Sequence, residues 1–257
     1  MINFEKLETD IDNSVIQYRL AKPFEHLVLD GYIDNVKLLK MYSEIPELTT
    51  KSRDFIFANE KYEKSKYYEL GREFSELYED LRSDRFNNFL SKLSGKETFV
   101  DPKNHGGGLH QGKQNSKLDM HLDYNYHPNH PNWWCEMNIL LYLNLGWKPE
   151  YGGNLDLVDL RTLDKSSIEV PFNRMIIQKC DNYTLHGYKE TNFPEGVYRT
   201  SIATYAFTVH ENVLYKPRTT DWFVDEKESK FKRFLGRNVS SFIGLKNKIL
   251  RSGTSKN

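Results

Sequence analysis

The stretch Met120-His121-Leu122-Asp123-Tyr124 places an imidazole and a carboxylate two residues apart. Side chains on a β-strand alternate between its faces, so residues two apart leave the strand on the same side. One strand then presents two metal ligands to one ion. His186, inside the apolar-flanked run Tyr183–Tyr188, offers a third ligand much later in the chain. The sequence therefore predicts a metal ion held by two histidines and one carboxylate.

A basic residue follows this set of ligands. Arg199 and Ser201 lie in a strand-like run that ends at Phe207, and their spacing puts both side chains on one face. A guanidinium forms a fixed fork of donors that matches a carboxylate. Two histidines and one carboxylate are also the ligand set that leaves positions open on a non-haem Fe(II) ion. The pattern therefore favours a metal site beside a carboxylate clamp.

In this order, His-x-Asp, a distant His and then Arg-x-Ser, the sequence resembles the 2-oxoglutarate and Fe(II)-dependent dioxygenase superfamily, in particular its prolyl-4-hydroxylase-like branch. The segments Asn138–Asn144 and Gly152–Leu157, with Trp147 between them, are similar to that branch too. The resemblance covers about residues 100–210, and weaker similarity begins near Pro23.

The resemblance implies an iron enzyme. Its metal ligands are His121, Asp123 and His186, and its co-substrates are 2-oxoglutarate and O2, which become succinate and CO2 while a C–H bond is hydroxylated. Ascorbate is implied as a supporting reductant. Halogenating relatives replace the carboxylate ligand with a small residue, so Asp123 implies hydroxylation instead.

The resemblance also implies which residues bind 2-oxoglutarate. Arg199 and Ser201 match the residues that hold its 5-carboxylate. Gln111 and Asn138 match positions that face the keto acid, although neither is the tyrosine or arginine often found there.

The loop after the ligand strand is a candidate substrate border. Trp133, Trp134 and Tyr124 offer stacking surfaces, and the alternative for the tryptophans is that they cap the end of the barrel. His127 and His130 are expected to be solvated. His127 stays open as a rival metal ligand, since it follows Asp123 by only four residues.

The predicted fold class is α+β, mainly β. Apolar spacing predicts a helix that Asn35 caps and a second helix from about Phe74 to Leu93. Residues 1–22 read as an irregular lead-in, and the charged, aromatic run 61–68 reads as a solvated loop or lid. Eight short strands with turn signals favour a jelly roll, a cupin-like arrangement, and the resemblance makes it a double-stranded β-helix. These strands are expected at about 108–112, 119–125, 135–144, 154–159, 168–171, 173–179, 183–189 and 198–208.

Three regions are expected within one domain: an N-terminal helical and strand buttress (1–97), the double-stranded β-helix core (98–210) and a basic C-terminal extension (211–257). Residues 217–257 hold ten Lys or Arg and four acids, with partly helical amphipathic spacing. That composition suits contact with an anionic membrane surface or a carrier. The alternative, which we favour, is a helix packed on the barrel.

The composition of the chain argues against several other classes of protein. Lys plus Arg equals Asp plus Glu at 36 each, so no overall field favours nucleic acid. Two cysteines, Cys135 and Cys180, do not make a disulfide framework. The N-terminus lacks the pattern of a signal peptide, and no apolar run is long enough for a transmembrane segment. We expect a cytoplasmic protein that can form a homodimer.

The expected function is hydroxylation of a small molecule or biosynthetic intermediate. A peptidyl (prolyl-type) hydroxylase and a catalytically silent barrel that only binds are the alternatives. A zinc hydrolase on the same ligands leaves Arg199 and Ser201 without a role. A nucleic-acid demethylase requires a basic groove, and the barrel stretch is not basic.

Overall fold

The computed structural model describes residues 1–52, 57–212 and 218–223. Within these residues the α-helices are α1 (Phe4–Thr9), α2 (Ile11–Leu20), α3 (Asn35–Ser43), α4 (Arg72–Arg82) and α5 (Asp84–Ser94). The strands are β1 (His26–Asp30), β2 (Ala58–Lys64), β3 (Phe99–Val100), β4 (Gly108–Leu122), β5 (Tyr126–His127), β6 (His130–Tyr142), β7 (Leu155–Asp159), β8 (Lys165–Ile168), β9 (Arg174–Lys179), β10 (Thr184–Tyr188), β11 (Arg199–Val209) and β12 (Asp221–Phe223). Short 3-10 turns occur at Tyr67–Glu69 and Pro149–Tyr151.

The strands form one antiparallel sheet in the order β1-β9-β6-β11-β4-β10-β7-β8, and β2 and β12 add to β4. The sheet curls on itself, so that β6, β11, β4 and β10 contribute walls to one cavity. This half-barrel, of the double-stranded β-helix type with helices from the N-terminal part of the chain, confirms the predicted fold class.

Alternation along β6 explains how one strand serves two environments. Ile139 and Leu141 pack into the larger hydrophobic core, which the N-terminal helices also build. Asn138, Leu140 and Tyr142 face the cavity. Side chains two apart share a face of a strand, so a single polar residue among apolar ones reaches the site without disturbing the core.

The predicted long helix is two helices. Ser83 has extended backbone angles and ends α4, and its hydroxyl accepts a hydrogen bond from the Phe86 N–H at the start of α5. The apolar stripe continues through both helices, with Phe74, Leu77, Phe86 and Leu90 buried. Apolar spacing found the buried face, but a serine N-cap inside that stripe is what breaks the helix.

Residues 1–22 are not irregular, because they form α1 and α2. Asn3 caps α1 by accepting a hydrogen bond from the Lys6 N–H. Leu7 and Tyr18 are buried against the core. Few other positions in these helices are buried. The apolar periodicity that predicts a helix is therefore weak in this segment.

Residues 61–68 are not a solvated loop. Lys61–Lys64 belong to β2, which pairs with β4, and Tyr67 is fully buried at the following turn. The predicted strands 108–112 and 119–125 are joined in the single strand β4.

The helix predicted in the C-terminal extension lies mostly outside the described residues. The structure places β12 and the three residues before it in this part of the chain. No helix in the described part of the chain is both long and apolar enough to cross a membrane.

Candidate active site

The three predicted ligands meet at one point of the sheet. His121 lies near the end of β4, Asp123 follows that end, and His186 on β10 pairs directly with His121. The ligand atoms of the three residues all lie within 4.8 Å of one another. His121 Nε2 is 3.7 Å from Asp123 Oδ1, and His186 Nε2 is 3.5 Å from Asp123 Oδ2. All three residues are buried.

The hydrogen bonds of His121 fix which ring nitrogen is available. Its Nδ1 lies 2.9 Å from the backbone carbonyl of Asp119. A carbonyl only accepts, so Nδ1 carries the proton and the lone pair of Nε2 faces the site. A partner on the far nitrogen is the usual way in which a metal-binding imidazole is oriented.

The site favours a neutral imidazole beside an ionised carboxylate. Burial lowers the pKa of His186 to about 3. Burial acts to raise the pKa of Asp123, but the neighbouring His186 and His121 and the hydrogen bonds from Asn138 and Tyr205 together hold this pKa below its ordinary value. Neutral imidazole and carboxylate are the forms that bind a divalent metal.

Polar side chains hold the carboxylate ligand. Asn138 Nδ2 donates to Asp123 Oδ2 at 2.8 Å, and the Tyr205 hydroxyl donates to Asp123 Oδ1 at 3.1 Å. The N, N, O donor set, the buried position and these supporting contacts fit a non-haem Fe(II) ion. His121, Asp123 and His186 are the residues that would hold it.

A cavity of about 350 Å³ opens beside the triad. Strand β11 contributes every second residue to its wall: Arg199, Ser201, Ala203 and Tyr205. The predicted shared face of Arg199 and Ser201 is therefore confirmed by their positions. The same alternation extends to Tyr205, which was not predicted as a site residue although it follows Ser201 by four residues.

Arg199 is buried in the cavity wall at 6% exposure. Its Nε donates to the Gly153 carbonyl at 2.6 Å, and its guanidinium carbon lies 3.8 Å from the ring centroid of Tyr188 and 5.1 Å from that of Tyr142. Among the described residues, no carboxylate lies within ion-pair distance of this guanidinium. Gly153 permits the approach, since a Cβ there would lie 3.0 Å from Arg199 Cδ.

Gln111 is not brought to the cavity. Its side chain points the other way from β4, where Oε1 accepts from the Leu48 N–H at 2.7 Å and Nε2 donates to the Pro46 carbonyl at 3.1 Å. The neighbours His110 and Gly112 line the cavity instead. The buried Gln111 side chain thus connects β4 to residues 46–48 through two hydrogen bonds.

Of the predicted substrate residues, Tyr124 lines the cavity and the two tryptophans do not. Trp133 stacks on His130 with ring centroids 4.0 Å apart, and Trp134 stacks on His210 at 3.6 Å. Both belong to β6, so the segment predicted as a loop is largely strand. Their aromatic faces pack on histidine rings and do not line the cavity.

His127 and His130 do not join the metal ligands within the described residues. His127 is buried, with Nε2 3.3 Å from an oxygen of Asp101 and Nδ1 accepting from the Asn129 N–H. Both ring nitrogens are therefore occupied by protein partners. The rival reading of His127 as a metal ligand is wrong for this structure.

Trp222, which was not predicted as part of the site, stacks on the ligand His121 with ring centroids 4.6 Å apart and 27° between the ring planes. No local signal marks it, because the contact depends on a pairing between β12 and β4 that joins residues far apart in sequence.

Comparison with known proteins identifies the segment that carries this site. Residues 107–207 match the 2OG-Fe(II) oxygenase superfamily. No curated protein sequence matches the chain significantly. Among solved structures, an oxidoreductase of the 2OG-Fe(II) oxygenase family from Burkholderia pseudomallei is similar with a TM-score of 0.54 at 14% identity, over 77% of this chain and 89% of the other.

Two further structures are similar. A prolyl-4-hydroxylase from Pseudomonas putida has a TM-score of 0.54 at 12% identity, over 78% of this chain and 100% of the other. A prolyl hydroxylase from Trichoplax adhaerens, in complex with a hypoxia inducible factor peptide, has a TM-score of 0.56 at 15% identity, over 79% and 91%. These likenesses establish the fold. The segment that matches the 2OG-Fe(II) oxygenase superfamily, residues 107–207, contains all three metal ligands, so this segment is the core of a 2-oxoglutarate- and Fe(II)-dependent oxygenase with an intact His-Asp-His triad.

Proposed function

We propose that this oxygenase hydroxylates a C–H bond of a small molecule. In that reaction one atom of O2 enters the product as a hydroxyl group and the other enters succinate, while 2-oxoglutarate loses CO2. Fe(II) at the triad supplies the activation of O2. The observation that carries the proposal is a buried guanidinium, Arg199, that lacks a carboxylate partner among the described residues and lies in the same cavity as the triad.

Arg199 is the proposed clamp for the 5-carboxylate of 2-oxoglutarate. A buried charge without a counter-ion is costly, and a bound carboxylate supplies one. The bond from Nε to the Gly153 carbonyl leaves the two terminal nitrogens for a bidentate contact. Ser201, two residues along the same face of β11, adds a hydroxyl donor. The chain thus fixes the far end of the co-substrate while its keto acid end points toward the triad.

The covered edge of β4 favours a small substrate over an extended peptide. Peptides often bind by adding a strand to a free sheet edge. Beside the metal ligands, the outer edge of β4 is already paired with β2 and with β12, which pairs with residues 120–122. A peptide therefore cannot add a strand to β4 beside the metal ligands.

The polar groups nearest the triad favour a substrate that brings hydrogen-bond donors. The Tyr205 hydroxyl donates a hydrogen bond to Asp123, and the Tyr124 hydroxyl donates one to the His105 carbonyl at 3.1 Å. Their oxygens can therefore only accept further bonds. Asn138 Oδ1 is buried and has no hydrogen-bond partner among the described residues, while its Nδ2 donates to Asp123. A hydroxyl or amine group on the substrate would satisfy these acceptors.

The test uses two pools of candidate substrates from the same cells, a small-molecule extract and a protease digest of the proteins. Each is incubated with the enzyme, Fe(II), ascorbate, 2-oxoglutarate and isotopically labelled O2. The proposal expects a compound in the small-molecule pool that gains one labelled oxygen atom. His121→Ala is the inactive control. Labelled product confined to the peptide pool would overturn the small-molecule assignment and favour the peptidyl hydroxylase.

A further inference from the structure

A short segment beyond the family-matched residues is built against the metal-ligand strand. Strand β12 pairs with the end of β4, with Trp222 opposite His121. Before it, Arg218 Nη1 donates to the backbone carbonyl of Asp123 at 2.7 Å. Arg218 and Asn125 also exchange hydrogen bonds, since the Arg218 N–H donates to Asn125 Oδ1 at 2.7 Å and the Asn125 N–H donates to the Arg218 carbonyl at 3.1 Å. The segment 218–223 therefore contacts the backbone at both ligands of this strand.

Within the segment 218–223, Trp222 contacts the side chain of the ligand His121. Its indole is sandwiched between two rings: His121 at 4.6 Å and 27°, and Phe57 at 4.6 Å and 11°. It is only 4% exposed. The Phe57 carbonyl accepts from the Asp119 N–H at 2.9 Å, and the Asp119 carbonyl in turn holds His121 Nδ1. The imidazole is thus fixed in its plane by a hydrogen bond and across its face by the indole.

We propose that Trp222 is a positioning residue of the metal centre, through which the segment 218–223 orients His121 for the metal. Two contacts on one imidazole restrict both its rotation and its tilt. A ligand that is already oriented loses less conformational entropy when the metal binds. Outer contacts to metal-binding histidines typically change metal affinity by about ten-fold to a hundred-fold when they are removed. This inference rests on the metal site and not on the identity of the substrate.

The test is a titration of the protein, prepared without metal, with Co(II) alone. Calorimetry gives the dissociation constant, and tryptophan fluorescence reports the distance from the ion. Trp222→Ala is expected to weaken Co(II) binding by about ten-fold or more. Trp222→Phe keeps a flat ring against His121 and is expected to bind nearly as tightly as wild type. An affinity for Co(II) in Trp222→Ala equal to that of wild type would overturn the proposal.

Fluorescence keeps the test decisive if Trp222→Ala does not fold. The chain has four tryptophans, and Trp222 is the one stacked on a ligand. Co(II) quenches a nearby indole, so wild type is expected to lose part of its emission on titration. Trp147→Phe, matched in chemistry and hydrogen-bonded to the Gly152 carbonyl, should keep that quenching. Trp222→Phe should lose it while calorimetry still detects binding. Equal quenching in wild type and Trp222→Phe would overturn the placement of Trp222.

The same titration separates this inference from the proposed function. Co(II) binding requires neither 2-oxoglutarate nor a substrate, so failure to hydroxylate leaves the fluorescence and calorimetric results unchanged. Loss of the Trp222 effect, with 2-oxoglutarate turnover intact, would remove the positioning role and leave the oxygenase.

Discussion

At the scale of single residues, Arg199 links the fold to the co-substrate. A hydrogen bond to a charged group contributes about 1.5–3 kcal/mol. We therefore expect Arg199→Ala to raise the apparent KM for 2-oxoglutarate by about ten-fold or more. Arg199→Lys keeps the charge but loses the planar fork, so its effect should be smaller. Succinate formation at varied 2-oxoglutarate measures both variants.

The control for that experiment is Arg161→Ala. Arg161 is also an arginine on the barrel, but it is exposed and paired with Asp159 outside the cavity. Its KM for 2-oxoglutarate should equal that of wild type. An unchanged KM in Arg199→Ala, or an equal rise in Arg161→Ala, would remove the clamp role from Arg199.

Two half-buried tyrosines allow a matched test of the metal ligand Asp123. Tyr205 and Tyr124 have ring centroids 4.8 Å apart, but only the Tyr205 hydroxyl contacts the carboxylate. We expect Tyr205→Phe to weaken Fe(II) binding by about ten-fold, because an outer contact of a ligand is lost. Tyr124→Phe should leave the affinity for Fe(II) nearly unchanged. Anaerobic equilibrium titration with Fe(II) measures both, and similar losses would mean that Tyr205 acts through packing alone.

At the scale of secondary-structure elements, Gln111 ties β4 to the chain at residues 46–48. Gln111→Leu would leave the Leu48 N–H buried without its partner, at a cost of about 1–3 kcal/mol, and would also break the bond to the Pro46 carbonyl. We expect a lower free energy of unfolding and an unchanged KM for 2-oxoglutarate. Denaturant unfolding and succinate formation measure the two quantities.

Ser201→Ala is the matched counterpart on the strand that pairs with this part of β4. Ser201 faces the cavity, so its loss should raise the KM for 2-oxoglutarate and change stability less than Gln111→Leu does. If Gln111→Leu were the variant that impairs 2-oxoglutarate binding, the position of its side chain in the structure would be contradicted.

The register of β4 explains why Gln111 was predicted wrongly and Asp123 correctly. A shift of one residue moves a strand's side chains to the opposite face. The resemblance placed Gln111 toward the keto acid, whereas His110 and Gly112 line the cavity. The prediction that His121 and Asp123 share a face does not depend on the register of β4. Residues two apart in an extended chain share a face whichever strand they pair with.

At the scale of the whole molecule, the sequence predicted what local spacing determines. The barrel type, the triad and the Arg199–Ser201 face follow from short patterns together with a family resemblance. The stacking of Trp222 on His121 and the covered edge of β4 depend on strands that are distant in sequence. The helices before residue 22 bury few residues, so their pattern was too weak to predict them.

The acid stability of the molecule should depend on Asp101, which joins His127 to the turn before β4. Burial opposes ionisation, but the His127 ring and the backbone N–H groups of Lys103 and His105 lower the pKa of Asp101 to about 2 from an ordinary value of 3.8. A lowered pKa means that its contribution is complete above about pH 4 and is lost as pH falls toward 2.

We therefore expect Asp101→Asn to be less stable than wild type near neutral pH, with a difference that shrinks as pH falls from about 4 to 2. Asparagine has nearly the same size and does not ionise, so it isolates the charge. Denaturant unfolding across this pH range gives the free energies. A difference that does not vary with pH would show that the Asp101 charge contributes nothing to acid stability.

The most direct test of the metal and co-substrate site is a spectrum recorded without O2. Fe(II) and 2-oxoglutarate are added anaerobically to wild type and to Arg199→Ala. A keto acid that chelates Fe(II) gives a weak visible metal-to-ligand charge-transfer band. We expect that band in wild type, and in Arg199→Ala only at much higher 2-oxoglutarate. No band in wild type, together with zinc retained through purification, would contradict an iron and 2-oxoglutarate site.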